Sequence, residues 1–135
     1  MKTVIKIFAA LTLLFMTSSF AAAQNSLVKH INQDEFRAQI CDFVQSPTWQ
    51  YKGKKPCVID FYATWCGPCR MLTPILEQVD FVDVVKVDVD EARELAMQFK
   101  ISVVPTLVLF KNNVEISRKE GYMTLDELEK WVKSA

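Results

Sequence analysis

The chain has 135 residues, of which 50% are apolar and 24% are charged, so it can form one ordinary domain with a hydrophobic core. This composition excludes global disorder. Its 16 basic and 16 acidic residues balance, and the one dense basic cluster, Lys52, Lys54 and Lys55, is typical of a solvated loop. Nucleic acid is therefore not expected as a partner. Three glycines are too few for a glycine-rich phosphate-binding loop.

The first 23 residues are typical of a secretory signal peptide. Met1 to Lys6 carry two positive charges, an apolar run from Ile7 to Phe15 follows, and Ala21-Ala22-Ala23 offers small residues for cleavage. The alternative, an uncleaved membrane anchor, is disfavoured because the apolar run is shorter than the roughly 20 residues that span a bilayer. Cleavage after Ala23 would leave a domain of residues 24–135 with net charge −2. We expect it in an oxidising compartment, periplasmic or secreted, where disulfides persist.

Helical and extended patterns alternate in the first half of this domain. A short strand is predicted to begin at Leu27-Val28, and Asn32 with Glu35 forms the capping box of a first helix. The nearly continuous apolar run Cys57–Tyr62 indicates a strand covered on both faces. A helix should follow Cys66, kinked at Pro74. One side of that helix carries its apolar residues, Leu72, Ile75, Leu76 and Val79.

The second half of the domain continues the alternation and ends in a hairpin and a helix. The predicted elements are a strand at 84–89, a short helix at 91–99, and two strands at 106–110 and 114–119. Thr124 caps the last helix, with Glu127 completing its capping box. The order β-α-β-α-β-α-β-β-α predicts an α/β fold, with a central mixed sheet flanked by helices on both faces.

The segment Trp65-Cys66-Gly67-Pro68-Cys69 concentrates the chemistry. Two thiols separated by two residues can close a small disulfide ring, and the partial positive charge at a helix N-terminus favours a thiolate. We therefore expect a lowered pKa for Cys66, which would attack a substrate disulfide. Cys69 lies one turn into the helix, is shielded there, and would resolve the mixed disulfide.

Two other roles for this cysteine pair are disfavoured. A zinc ion needs four ligands, and the remaining candidates, Cys41, Cys57 and His30, make no second close pair, so no metal is expected. A purely structural disulfide at 66–69 is disfavoured because such short rings are strained and readily reduced.

The sequence resembles the thioredoxin family from about residue 27 to residue 135. Trp65-Cys66-Gly67-Pro68-Cys69 reproduces the family's CGPC active-site motif, 58–63 resembles its central strand, and Val104-Pro105-Thr106 resembles its cis-proline segment. The motif, Asp60 six residues upstream of Cys66, Pro105 and the element order together make the resemblance specific. It implies the thioredoxin fold and thiol-disulfide exchange, with no cofactor.

The resemblance implies roles for two charged residues. Asp60 stands in an apolar strand, where desolvation would raise its pKa, and the family implies that it helps to deprotonate Cys69 through a buried water. The alternative is an Asp at a strand end that reaches solvent. Lys86 matches the family's lysine beside this carboxylate, and its alternative is an ordinary lysine at a strand edge or end.

The resemblance also implies a docking surface around the dithiol. The Val104–Pro105 bond would be cis and face the cysteines, and the Val104 backbone would pair with an extended substrate segment. The surface would consist of Trp65, Gly67, Pro68, Val104, Pro105 and Gly121. A packed aromatic at Trp65 and a plain loop proline at Pro105 are the alternatives.

The chain departs from the usual family pattern in three places. Tyr62 stands where many members carry Trp, and the segment 46–55 is longer than usual and contains Trp49 and Tyr51, which would cover the core or meet a partner. The third departure is the extra pair Cys41 and Cys57. Cys57 should point to the face opposite Asp60, and in the family fold the helix that carries Cys41 covers that face.

A structural disulfide between Cys41 and Cys57 would stabilise a small exported domain by roughly 3 kcal/mol. The alternative is two buried free thiols that act as small apolar residues. His30, the single histidine, is expected at the surface with no catalytic part.

We therefore expect a monomeric thiol-disulfide oxidoreductase that reduces disulfides in exported proteins. In an oxidising compartment a reductant must be recharged, which implies an electron donor, expected to be a membrane protein. The alternatives are a disulfide oxidase or isomerase in the same compartment and a non-catalytic module that uses the same fold to hold peptides.

Overall fold

The computed structural model describes residues 28–40, 55–112 and 114–135. Its elements follow the predicted order: β1 (Val28–His30), α1 (Gln33–Gln39), β2 (Cys57–Tyr62), α2 (Gly67–Leu76), β3 (Asp83–Asp88), α3 (Arg93–Gln98), β4 (Thr106–Lys111), β5 (Val114–Glu120) and α4 (Leu125–Ser134). Within these ranges no helix has the length and apolar character needed to cross a bilayer.

The five strands form one mixed sheet in the order β1-β3-β2-β4-β5. β1 and β2 pair parallel with β3, whereas β4 pairs antiparallel with β2 and β5. β2 is thus central, with hydrogen-bonded neighbours on both sides. This arrangement confirms the predicted mixed sheet.

The face of the sheet under α1 and α3 is an apolar layer rich in phenylalanine. Phe61 of β2 and Phe36 of α1 are fully buried there. Phe99, just after α3, lies between them and β4, with ring centroids 5.0 Å from Phe61, 6.0 Å from Phe36 and 5.9 Å from Phe110. Edge-on and tilted aromatic pairs of this kind add to the stabilisation that burial provides.

The opposite face is covered by α2 and α4. Leu72 and Leu76 of α2 and Leu128 of α4 are completely buried against the sheet. Trp131 of α4 joins this layer, and its indole N–H donates to Ser117 Oγ of β5 at 2.9 Å. Helices therefore flank both faces, as the order of elements predicted.

Both predicted capping boxes are present. The Asn32 side chain accepts from the backbone N–H of Glu35, whose carboxylate accepts from the backbone N–H of Asn32, each at 2.9 Å. Thr124 and Glu127 make the same reciprocal pair at the start of α4. Such a pair satisfies two donors that the first turn of a helix leaves unpaired.

Two helices are shorter than the sequence pattern predicts. α2 ends at Leu76, so Val79 lies beyond it, although Val79 still packs in the layer under α2 and α4. α3 spans 93–98 instead of 91–99, because Ala92 has a non-helical backbone and the chain turns at Lys100, whose φ is +55°. In both helices the helical spacing of apolar residues extends beyond the last helical residue, to Val79 after α2 and to Phe99 after α3.

Some of the predictions concern residues outside the described ranges. These are the signal peptide over residues 1–23, the role of Trp49 and Tyr51 in covering the core or meeting a partner, and the pairing of Cys41 with Cys57. Each remains a prediction.

Candidate active site

The two cysteines of the motif lie at the first turn of α2. Cys66 is the N-cap residue and Cys69 is the third residue of the helix, and their side chains are joined by a disulfide. The backbone N–H of Cys69 donates to Cys66 Sγ over 3.2 Å. Because this N–H and the positive end of the helix dipole both face Cys66 Sγ, this position stabilises negative charge on that sulfur.

Both cysteine residues are buried, Cys66 slightly less completely than Cys69. Cys66 is 4% exposed and Cys69 is 1% exposed. Pro68 lies within the first turn of α2, where a missing N–H leaves no intrahelical hydrogen bond unmade. Gly67 is partly buried beside the disulfide, and Pro68 is exposed.

The cis-proline segment lies against Cys66. The Val104–Pro105 peptide bond is cis, as the resemblance implies. The carbonyl oxygen of Val104 lies 3.7 Å from Cys66 Sγ. The backbone N–H of Gly121 donates to the carbonyl of Pro105 at 2.8 Å, and Gly121 has a φ of +83°, a conformation that favours glycine. The fold therefore brings Val104, Pro105 and Gly121 together beside the dithiol.

An open groove runs along this segment. It has a volume of about 330 Å³ and a mostly apolar lining, made by Trp65, Val89, Ile101, Ser102, Val103 and Val104. Trp65 is 69% exposed, so it is not a packed core aromatic. Its indole N–H donates to Asp90 Oδ2 at 2.9 Å, which holds the ring at the edge of the groove.

Asp60 and Lys86 form a completely buried ion pair. They are neighbours in the register of β2 and β3, and Lys86 Nζ lies 2.6 Å from Asp60 Oδ2. Their side chains are 0% and 1% exposed, so neither residue is an ordinary strand-end charge. Burial raises the pKa of Asp60 above its ordinary value, although the Lys86 ammonium acts in the opposite direction. A carboxylate with a raised pKa is a better proton acceptor near neutral pH.

One oxygen of Asp60 has no partner. Among the buried side-chain nitrogens and oxygens of the described ranges, Asp60 Oδ1 is the only one without a hydrogen bond. Unsatisfied buried acceptors are rare, and one of the places where they occur is a catalytic site.

Thr73 connects this ion pair to the resolving cysteine, a contact that the sequence analysis missed. Lys86 Nζ donates to Thr73 Oγ1 at 2.8 Å, and the Thr73 hydroxyl donates to the carbonyl of Cys69 at 3.1 Å. Thr73 follows Cys69 by four residues, so the two share one face of α2. That spacing is the signal that could have placed Thr73 at the site.

Tyr62 and His30 lie on the solvent side of Lys86. Lys86 Nζ is 4.5 Å from the centroid of the Tyr62 ring, and the Tyr62 hydroxyl is 3.2 Å from His30 Nδ1. Burial, with the nearby Asp88 carboxylate second, raises the pKa of Tyr62, so its hydroxyl stays protonated. His30 is exposed, as predicted, but it is close to the buried pair despite its distance from the dithiol along the chain.

Cys57 is buried in β2 on the face opposite Asp60, as predicted. It belongs to the apolar layer that contains Phe36 and Ile40 at α1. Its proposed disulfide partner, Cys41, lies outside the described residues, so the Cys41–Cys57 disulfide remains a prediction.

The comparisons with known proteins agree with the geometry of this site. A sequence model of the thioredoxin family matches residues 27–134, so the chain belongs to the thioredoxin family. The chain is 48% identical over 79 residues to a thioredoxin-like protein, slr0233, of Synechocystis sp., an alignment that covers 55% of this chain and 75% of that one. It is 45% identical over 83 residues to a thioredoxin of Alicyclobacillus acidocaldarius, covering 58% and 79% of the two chains.

A solved structure gives the same result for the fold. A mutant thioredoxin from Halobacterium salinarum superposes with a TM-score of 0.61 at 34% identity, covering 79% of this chain and 88% of the other. The protein is therefore a thioredoxin-family redox protein with a redox pair at Cys66 and Cys69.

Proposed function

We propose that this protein reduces disulfides in exported proteins by dithiol-disulfide exchange. The observation that carries this proposal is the environment of Cys66 Sγ. It sits at the N-terminus of α2, accepts the N–H of Cys69 at 3.2 Å and lies beside an open apolar groove. A sulfur in that environment is stabilised as a thiolate, the form that attacks disulfides.

The exchange proceeds in two displacement steps. The Cys66 thiolate attacks one sulfur of the substrate disulfide, which forms a mixed disulfide and releases the other sulfur as a thiolate. Asp60 then accepts the proton of the Cys69 thiol, and the Cys69 thiolate attacks Cys66 Sγ. The second substrate sulfur leaves, and two electrons have passed to the substrate. The protein now holds the Cys66–Cys69 disulfide, and the released thiolates take protons from solvent.

The surface around Cys66 suits an extended substrate segment. The carbonyl of Val104 is next to Cys66 Sγ and Val104 is partly exposed, so its backbone is placed to add a strand-like pairing with the substrate. Exposed Trp65 and Pro68, with Gly67 and Gly121, form the rim. The apolar groove favours substrates with apolar side chains next to the reactive cysteine.

The reductive direction is proposed from the Gly67-Pro68 pair between the thiols, which resembles reducing members of the family. A reductant of this type has a potential near −270 mV, whereas a strong oxidant lies near −120 mV. Equilibration of the protein with glutathione buffers measures this value. A result close to −120 mV would favour the oxidase alternative. Because the compartment is oxidising, the reduced form would be restored by a membrane electron donor.

Export is proposed from residues 1–23, and a monomer is proposed for the mature domain. Expression of the full chain in a bacterium with an outer membrane, followed by fractionation, N-terminal sequencing and size-exclusion chromatography, tests both. We expect a periplasmic product that begins at Gln24 and elutes as a monomer. Recovery of the full-length chain in the cytoplasm would contradict the proposed destination.

Insulin reduction driven by dithiothreitol tests the activity itself. Wild-type protein should accelerate the reaction, and the variants Cys66→Ser and Cys69→Ser should turn over no faster than dithiothreitol alone. A non-catalytic peptide-binding module would give no acceleration in any form.

Covalent trapping tests the class of substrate. In a Cys69→Ala variant the mixed disulfide cannot be resolved, so captured partners stay attached through Cys66. Expressed with its leader, this variant should retain exported disulfide proteins and the electron donor. A Cys66→Ala/Cys69→Ala variant, which should retain nothing, is the control. Capture of cytosolic proteins alone would contradict the proposal.

A further inference from the structure

The Lys86 ammonium is fixed by three groups that belong to different parts of the site. It donates to Asp60 Oδ2 at 2.6 Å and to Thr73 Oγ1 at 2.8 Å, and it lies 4.5 Å from the Tyr62 ring centroid. Two strong acceptors thus share the ammonium, one on β2 and one on α2. With a side chain only 1% exposed, Lys86 depends on these partners to satisfy its charge.

The two carboxylate oxygens of Asp60 are consequently unequal. Oδ2 accepts from Lys86, and Oδ1 accepts from nothing within the described residues. A hydrogen bond from an ammonium lowers the basicity of the oxygen that accepts it, and each carboxylate oxygen has two lone-pair sites, so Oδ1 is the oxygen better suited to take a proton from a thiol. Lys86 Nζ makes its second side-chain hydrogen bond to Thr73 Oγ1 and none to Asp60 Oδ1.

We propose that Thr73 is a positioning residue: its hydroxyl keeps the Lys86 ammonium on Asp60 Oδ2 and so leaves Oδ1 open to receive the proton of Cys69. This inference rests on the proposed function, in which Asp60 deprotonates the resolving cysteine. The Thr73 hydroxyl also donates to the carbonyl of Cys69 at 3.1 Å, which orients its lone pairs toward Lys86. One hydroxyl group therefore links the proton acceptor and the turn of α2 that carries the proton donor.

Removal of the hydroxyl should redirect the ammonium. Without Thr73 Oγ1, one buried N–H of Lys86 loses its acceptor, and leaving it unsatisfied is unfavourable. The unoccupied acceptor in the same ion pair is Asp60 Oδ1, so the ammonium should bridge both oxygens. The added hydrogen bond lowers the basicity of Oδ1 and stabilises the ionised carboxylate, so the pKa of Asp60 should fall and its ability to take a proton should weaken.

The other titratable groups near the pair are not themselves altered by a substitution at Thr73. On the solvent side these are His30 of β1, Tyr62 of β2 and Asp88 of β3, with Glu35 and Glu91 at the rim of the pocket that they share with Lys86. A change in proton transfer that follows the Thr73 hydroxyl therefore cannot be assigned to them.

Two substitutions separate the hydroxyl from the shape of the side chain. Thr73→Val keeps the branched shape and removes the hydroxyl, whereas Thr73→Ser keeps the hydroxyl and removes a methyl group. The test is a single-turnover reaction of each reduced protein with a peptide disulfide. The reaction is monitored by rapid-mixing kinetics at increasing peptide concentrations. The second-order rate reports attack by Cys66, and the concentration-independent limit reports resolution by Cys69.

We expect the limiting rate of Thr73→Val at pH 7 to be about fivefold below that of wild type. The pH midpoint of that rate should move to lower pH, and the attack rate should be unchanged. Thr73→Ser should match wild type in all three quantities. Carbon-13 NMR of the Asp60 carboxyl group should show a lower pKa in Thr73→Val only.

The outcomes distinguish this inference from the proposed function. Equal limiting rates and equal pH midpoints for the Val and Ser variants would overturn the role of Thr73, while normal wild-type exchange would leave the function intact. If Thr73→Val slows attack and resolution together, the residue is merely structural and the inference is again wrong. If wild type shows no attack that depends on Cys66, the proposed function itself fails.

Discussion

The two faces of β2 differ in what their buried residues do. On one face Cys57, Ile59 and Phe61 pack into an apolar layer under α1 and α3. On the other face Val58 joins an apolar layer, but Asp60 forms a buried ion pair with Lys86. These five β2 residues are all 0% exposed, so burial alone does not tell the faces apart. One face of the strand is thus wholly apolar, whereas the other also carries a buried charge that is linked to α2 through Lys86 and Thr73.

The largest expected effect is on the stability of the apolar face. Phe61→Ala should lower the free energy of unfolding by about 3–5 kcal/mol, because it opens a cavity among the phenylalanine rings. Urea unfolding of the oxidised protein measures the loss. The insulin reduction rate of the fraction that remains folded should be near wild type. A rate that falls more than the folded fraction does would show that the apolar face also affects the exchange reaction.

Asp60→Asn should have its main effect on activity. Loss of a general base usually slows a reaction by about 10²-fold or more, so resolution by Cys69 should slow while attack by Cys66 persists. The single-turnover assay separates the two rates. An unchanged limiting rate would show that Asp60 is not the proton acceptor.

The same variant should change how stability depends on pH. Because the pKa of Asp60 is raised in the folded protein, the folded state binds this proton more tightly than the unfolded state. The resulting stabilisation is complete below the unfolded pKa, for which the ordinary value is 3.8, and is lost as pH rises through the higher folded pKa. Wild type should therefore lose stability over this range relative to Asp60→Asn. Parallel curves for the two proteins, from urea unfolding at several pH values, would contradict the raised pKa.

The smallest expected effect concerns the rim of the site. A Cβ at Gly121 would meet no atom within 4 Å, but its φ of +83° is unfavourable for other residues. Gly121→Ala should therefore lower the free energy of unfolding by about 1 kcal/mol through backbone strain alone.

Gly67→Ala is the matched control for that substitution. A Cβ at Gly67 would lie 4.0 Å from the flexible Arg70 side chain, and Gly67 has no left-handed backbone conformation. Stability should stay within about 0.5 kcal/mol of wild type. Equal losses for the two variants, measured by thermal unfolding, would show that backbone conformation is not what distinguishes them.

Much of the fold could be predicted because its signals are local. The capping boxes at Asn32 and Thr124 depend on residues three positions apart, and the alternation of apolar segments determines the order of elements. The ends of α3 could not be predicted, since they depend on the backbone at Ala92 and Lys100, where apolar spacing carries no signal.

The candidate site could likewise be predicted only in part from the sequence. The dithiol and its position at a helix N-terminus follow from the motif, and the resemblance pointed to Asp60, Lys86 and Pro105. The contacts made by Thr73 and His30 were missed because they join separate elements. Thr73 and Lys86 are 13 residues apart, and His30 and Tyr62 are 32 residues apart. Such contacts depend on the packing of α2 against the sheet and on the pairing of β1 with β3.

The most direct test of the central claim is the rate at which iodoacetamide alkylates Cys66 in the reduced protein as a function of pH. Tandem mass spectrometry, which locates the alkylated residue within the peptide, separates Cys66 from Cys57 and Cys69. If the N-terminus of α2 stabilises the thiolate, the midpoint should lie clearly below the value of about 8.5 found for free cysteine. A midpoint at or above that value would contradict the assignment of Cys66 as an activated nucleophile.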